Sequence, residues 1–171
     1  MAVTGSTGLI GRVLVDALRD GGHRVLPVVR PSSANAVGET IRWDPEAGRI
    51  DSGAFDGLDA VIHLAGEGIG DKRWTDAQKR RILDSRVKGT SLLSEALADL
   101  ANPPRVLLSA SAVGFYGDTG DRPTEEDGEA GSDFPAQVCL AWEAATAKAA
   151  EPASRWRTFE PESCCRPKAG R

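Results

Sequence analysis

The stretch VTGSTGLIGR at positions 3–12 sets three glycines, Gly5, Gly8 and Gly11, at equal spacing where an apolar run gives way to a helical pattern. Met1 to Thr4 reads as a short strand, and Leu9 to Arg19 carries Leu9, Ile10, Val13, Leu14, Ala17 and Leu18 at helical spacing. In such a strand-to-helix turn Gly5 takes a conformation closed to residues with a Cβ, Gly8 lets backbone approach a pyrophosphate, and Gly11 permits close packing of helix on strand. The exposed N–H groups and dipole of the first helical turn favour an anion. A dinucleotide held by Gly5, Thr7, Gly8, Leu9, Ile10 and Gly11 is the expectation. A glycine turn alone is a weak signal, and its weight comes from the pattern of the chain beyond it.

Beyond residue 20 two periods alternate along the chain. HRVLPVVR reads as a second strand despite Pro27, Thr40 to Trp43 as a third, DAVIHLAG (59–66) as a strand buried on both faces, and RVLLSAS (105–111) as another. Trp74 to about Leu100 reads as a long helix with Ile82, Val87, Leu92, Leu93, Ala96, Leu97 and Leu100 inside, and Pro135 to Ala150 as a last helix behind an acidic loop. The pattern predicts an α/β chain with a Rossmann-type doubly wound parallel sheet, incomplete at its C-terminus, and a ligand beyond the strand C-termini at the switch point.

Composition narrows the functions. At 171 residues, 40% hydrophobic and a mean hydropathy of −0.29, one domain with its own core fits. A net charge of −4 and a pI near 5.3 argue against a nucleic-acid or anionic-membrane partner. Nothing approaches the roughly 18 apolar residues of a span, so the cytoplasm is the expected location. Cys139, Cys164 and Cys165 match neither a disulfide framework nor a zinc spacing, and no metal site is expected. The second strand ends in Arg30, where NAD sites carry an acid for the ribose hydroxyls, so NADP is preferred over NAD; Ser32 and Ser33 offer further donors. The other reading of Arg30 is an arginine solvated at a strand edge.

TGSTGLIG, DAVIHLAG, SRVKGTSLL and SASAVGFYG together resemble the successive blocks of extended short-chain dehydrogenases/reductases. IRWDPEAGRID and DKRWTDAQKRRILDSRV resemble one atypical branch, the epimerase-like proteins of the NAD-dependent epimerase/dehydratase family, some labelled cell-division-inhibitor-like. The resemblance spans about positions 2–150. It implies that Gly5, Gly8 and Gly11 bind the pyrophosphate, that Leu64, Ala65 and Gly66 line the adenosine side, and that Asp44 lies near the adenine. It also implies that Ser111 polarises the oxygen of a small-molecule substrate, and that Arg86 stands where epimerases place an active-site asparagine, to reach a phosphate or to cap a surface.

The chain departs from that pattern at the chemistry. The superfamily's tyrosine and lysine, four residues apart on the last helix, serve as acid/base and ribose-holding cation. Here CLAWE puts Cys139 and Glu143 in their places, and a neighbouring carboxylate would raise the thiol's pKa, so Cys139 reads chiefly as a packing residue. Tyr116, the sole tyrosine, is the other acid/base candidate, against aromatic packing. His63, inside an apolar strand, reads as a satisfied core residue, and Trp43, Trp74 and Trp142 as packing.

Residues 1–150 form the expected dinucleotide-binding domain, and 151–171 break its logic: no apolar run or alternation suited to a returning strand is visible there. Back-translated with GC-rich codons and read one base earlier from the last base of the Glu151 codon, this tail can yield AGVAVADLRTGIVLSAQGG, which resembles the family's next strand and its LRTGIVLS block. A frameshift near Glu151 is therefore expected, and with four residues before Gly5 an earlier start as well. Two functions remain open: an NADP-dependent epimerase or oxidoreductase acting on a sugar-like or other hydroxyl/carbonyl substrate, with little catalysis by the 171-residue chain itself, or a non-catalytic NADP(H)-binding sensor or interaction module.

Overall fold

The computed structural model describes residues 1–32, 38–70, 72–150 and 155–159. Ser33, Cys164, Cys165 and the Glu151 junction lie outside the described residues. Strands β1 (Ala2–Thr4), β2 (Leu26–Val29), β3 (Ile41–Asp44), β4 (Arg49–Ile50), β5 (Ala60–His63), β6 (Val106–Ala110) and β7 (Arg155–Phe159) form a single sheet in the order β4-β3-β2-β1-β5-β6-β7. Every pairing is parallel except β3 with β4. Helix α1 (Leu9–Asp20) crosses from β1 to β2, α2 (Asp76–Ala98) from β5 to β6, and α3 (Phe134–Ala144) comes after β6. The strand order reverses between β1 and β5, which opens a crevice beyond their C-termini.

Both faces of the sheet are packed, and residue alternation decides which side chain goes where. Ala2, Val28, Val61 and Leu107 join Leu93 and Leu97 of α2 on one face, while Val3 and Ile62 meet Val15 of α1 on the other. Burial on both faces explains the near-continuous apolar runs of β2 and β5. Pro27 is tolerated because Leu26 N–H already donates to Met1 O at 2.9 Å and the pairing with β3 begins only at Val28. The missing N–H of Pro27 falls on the side where no strand waits for it.

Three expectations are corrected. In α1 the buried residues are Gly11 and Val15, with Leu14 and Leu18 packed beside them, whereas Leu9 and Val13 are 69% and 70% exposed. Gly11 dictates this rotation, because only a glycine fits against Gly5 and Ser6 there. Strand β4, absent from the sequence reading, returns through the Pro45–Gly48 turn, with Gly48 at φ +61°, to pair antiparallel with Trp43 and Asp44. Finally, β7 adds to the open edge of β6 from Val106↔Arg155 to Ala110↔Phe159, within the segment read as strandless. RWRTF is short, yet Trp, Thr and Phe are strand formers, and parallel backbone pairing requires no apolar run.

Candidate functional site

The glycine turn leads into α1 with Gly8 as N-cap in extended conformation, and no side chain caps the helix. The N–H groups of Leu9, Ile10 and Gly11 thus have no intrahelical acceptor and remain for an anion. Gly5 sits at φ +64°, and a Cβ there would stand 2.8 Å from the Leu64 carbonyl carbon and 2.9 Å from its oxygen. A Cβ on Gly11 would overlap Gly5 O outright. The turn is thereby pressed against both its own helix and the end of β5.

Thr4 and His63 fix that contact. Thr4 Oγ1 accepts from Leu64 N–H at 3.0 Å and Ala65 N–H at 3.1 Å, and lies 2.7 Å from His63 Nδ1. With both lone pairs taken, the threonine hydrogen goes to Nδ1, which places the ring hydrogen on Nε2, facing Thr90 Oγ1 at 3.0 Å. Burial alone pushes the His63 pKa down to about 4. The ring is fully enclosed and satisfied, with Trp43 edge-on at 5.8 Å, as expected for a core histidine.

The crevice is a cleft of about 270 Å³ bordered by Gly5, Ser6, Thr7 and Gly8 on the phosphate side, by Val28, Val29 and Arg30 at the end of β2, and by Leu64, Ala65 and Gly66 at the end of β5. Trp43, Pro45 and Glu46 close its far end. Asp44 lies just behind that wall, its carboxylate accepting from Ala47 N–H at 3.2 Å and from Arg49 at 3.4 Å. The side chains of Leu9 and Ile10 leave the cleft for a separate apolar groove shared with Val13, Leu14 and Ala17. Backbone is what these two residues offer a cofactor.

A second polar group gathers beyond β6. Arg86 Nη1 donates to Glu67 O at 3.0 Å and Ile82 O at 3.2 Å, and its guanidinium lies 4.9 Å from the Trp142 ring centroid. Burial lowers its pKa from the ordinary arginine value, opposed by the neighbouring Cys139 and Glu67. Gly66 packs against it, and a Cβ there would stand 3.2 Å from the guanidinium carbon, so that the side chain would have to shift slightly. Cys139 is 3% exposed, and burial, then the Glu143 carboxylate, push its thiol pKa up. That thiol stays protonated and reaches Ala112 O at 3.6 Å. Tyr116 lies in a short 3₁₀ turn with its ring edge-on to Phe115 at 5.2 Å. Trp43 and Trp142 are each 5% exposed, but Trp74 is 40% exposed and donates to Ile69 O.

Two further contacts join segments distant in the sequence. Ser111 Oγ donates to Glu143 Oε1 at 2.5 Å, joining β6 to α3 across residues far apart in the chain. Ser85 Oγ receives Glu67 N–H at 2.9 Å and holds the loop after β5 on α2. Only the adjacency of Ser85 to Arg86 hinted at the second.

A hydroxylated anion such as a dinucleotide fits these groups: bare helix-terminal N–H groups, glycines where a Cβ would fill the cradle, and an arginine at the end of β2. Comparison with known proteins agrees. The model of the NAD dependent epimerase/dehydratase family matches residues 1–154. An epimerase family protein of Mycobacterium bovis is 44% identical over 155 residues, which are 91% of this chain and 50% of that protein. Among solved structures, a nucleoside-diphosphate sugar epimerase from Corynebacterium glutamicum superposes with a TM-score of 0.78 at 41% identity, covering 93% of this chain and 32% of the other. The human epimerase family protein SDR39U1 with NADPH gives a TM-score of 0.77 at 28% identity, over 92% and 51%. The chain spans about half the length of the curated relatives it matches. Among the described residues no helix is long and apolar enough to cross a membrane, and no group of side chains is arranged for a metal ion.

Proposed function

Since the chain belongs to the NAD-dependent epimerase/dehydratase family, we propose that it is the dinucleotide-binding half of a cytoplasmic NADP-dependent oxidoreductase or epimerase acting on a sugar-like or other hydroxyl/carbonyl substrate. The observation that carries this reading is the cleft at the β1/β5 switch point, where Arg30 stands at the end of β2. A guanidinium there pairs with a 2′-phosphate, and the relative solved with NADPH supports the same cofactor.

The bound cofactor supplies hydride transfer at its nicotinamide. Gly5, Gly8 and the N–H groups of Leu9, Ile10 and Gly11 hold its pyrophosphate, Leu64, Ala65 and Gly66 line its adenosine, and Asp44 braces the turn beside the adenine end. Arg86, stacked on Trp142 and half-buried beside Gly66, steadies the nicotinamide side. Ser111 places the substrate oxygen, and Tyr116 is the acid/base candidate. The chain matches about half the length of these relatives, and we assign the substrate pocket chiefly to the half it does not match.

Titration of NADPH and NADH by fluorescence at fixed salt tests the reading. Wild type should favour NADPH at least about tenfold, and Arg30→Ala should remove most of that preference. Equal affinity for both dinucleotides would overturn the NADP assignment, and binding of neither would overturn the function. The absent tyrosine–lysine pair favours a second reading, a non-catalytic NADP(H)-binding module. Tight NADPH binding by a full-length relative with no turnover on a panel of nucleoside-diphosphate sugars would support it.

A further inference from the structure

Glu67 follows Gly66 beyond the end of β5 and borders the cleft. Its backbone is held on both sides, the N–H by Ser85 Oγ at 2.9 Å and the carbonyl by Arg86 Nη1 at 3.0 Å. Its carboxylate is held by one oxygen only, for Oε1 accepts from Lys72 Nζ at 3.2 Å and from Gln78 Nε2 at 3.4 Å. Gln78 is 2% exposed, and its amide oxygen takes Arg81 Nε and Nη2 at 3.1 and 2.6 Å, which turns its amide nitrogen toward Glu67. Among the described residues Oε2 receives no hydrogen bond. A rigidly mounted side chain thus brings an acceptor without a donor to the edge of the cleft.

We propose that Glu67 Oε2 accepts the exocyclic amine of the cofactor's adenine and so sets which base the cleft prefers. The proposal rests on the reading of this cleft as a dinucleotide site. Glu67 stands at the adenine end because the same helix carries both walls there. A Cβ on Gly89 of α2 would stand 3.3 Å from the Trp43 ring, so the end of β3 rests on α2. Ser85, which holds Glu67, lies one turn earlier on that helix and borders the cleft as well.

The chemistry selects the amine. Hydrogen bonds from Gln78 and then Lys72 hold the Glu67 carboxyl below its usual pKa, so the group is a carboxylate and can only accept. A carboxylate repels the 2′-phosphate, which finds Arg30 at the end of β2, and the 3′-hydroxyl goes with its phosphate neighbour on the ribose. The amine is the donor that remains on the base. Asp44 is excluded as its partner, since its carboxylate is committed to Ala47 N–H and Arg49. Glu46 also borders the cleft, but in the exposed turn after β3.

The test compares NADPH with its analogue carrying purine in place of adenine, where hydrogen replaces the amine, by fluorescence titration of the dihydronicotinamide. Wild type should bind NADPH about tenfold more tightly than the analogue. Glu67→Ala should bring that ratio near one, and Glu67→Gln, whose amide oxygen accepts without charge, should fall between. Loosening the loop lowers affinity for both dinucleotides alike, so the ratio is the readout. Lys72→Met, which releases the loop and leaves Oε2 in place, should keep the ratio, as should Glu46→Gln. A wild-type ratio near one, a ratio that survives Glu67→Ala, or one that collapses in Lys72→Met or Glu46→Gln would each overturn the proposal while leaving cofactor binding intact. Binding of neither dinucleotide overturns the functional reading and this proposal with it.

Discussion

Thr4 Oγ1 lies 2.7 Å from His63 Nδ1, and through this contact the last residue before the glycine turn holds the last residue of β5. The same oxygen receives the N–H groups of Leu64 and Ala65, so the ends of β1 and β5 and one wall of the cleft share a single hydroxyl.

That relay predicts acid sensitivity. The His63 pKa is lowered from 6.5 to about 4 by burial, so between those values the unfolded chain binds a proton that the folded chain refuses. The stability is fully present above pH 6.5 and is lost as pH falls through that window. Urea unfolding should show about 2 kcal/mol lost between pH 7.5 and pH 5 from this group. His63→Asn should flatten that part of the profile, and an unchanged slope would refute the assignment.

Gly11→Ala should be among the most damaging single-methyl additions in the chain. The new Cβ meets Gly5 O, which is backbone and cannot swing aside. A loss of about 2–4 kcal/mol with weakened NADPH binding is expected. Gly53, with nothing within 4 Å of a built Cβ, is the control, and Gly53→Ala should change stability by less than about 0.5 kcal/mol.

The outer face of α1 predicts tolerance of a charge. Leu9, Ile10 and Val13 are 69%, 37% and 70% exposed on one helical face. Val13→Lys should leave the unfolding midpoint nearly unchanged, because the side chain is mostly solvated already. A loss of more than about 1 kcal/mol in urea unfolding would show that this face is packed.

The reading-frame proposal has its own test. The family match ends at residue 154, close to the Glu151 codon where the pattern changes. Resequencing of that codon should reveal the shifted frame, and the intact mass of the expressed protein should differ from that of this chain. A gene and mass matching the present tail would refute the shift, and β7 would then stand as the native edge strand.

Periodicity and the glycine spacing determined the alternation of strands and helices from β1 to α3, the parallel sheet and the glycine turn before α1, because strand and helix patterns and the turn between them are local properties of the chain. The rotation of α1 was not legible, since Leu9, Val13 and Val15 are equally apolar, and only the collision of a Cβ with Gly5 O selects the face through Gly11. Strand β4 escaped because two residues are too few to show a period. The pairing of Ser111 with Glu143, and of Thr4 with His63 and Thr90, was decided by tertiary structure alone. Each joins segments widely separated in sequence, where no spacing rule reaches and only the stacking of β1, β5, β6 and their helices brings the groups within hydrogen-bond distance.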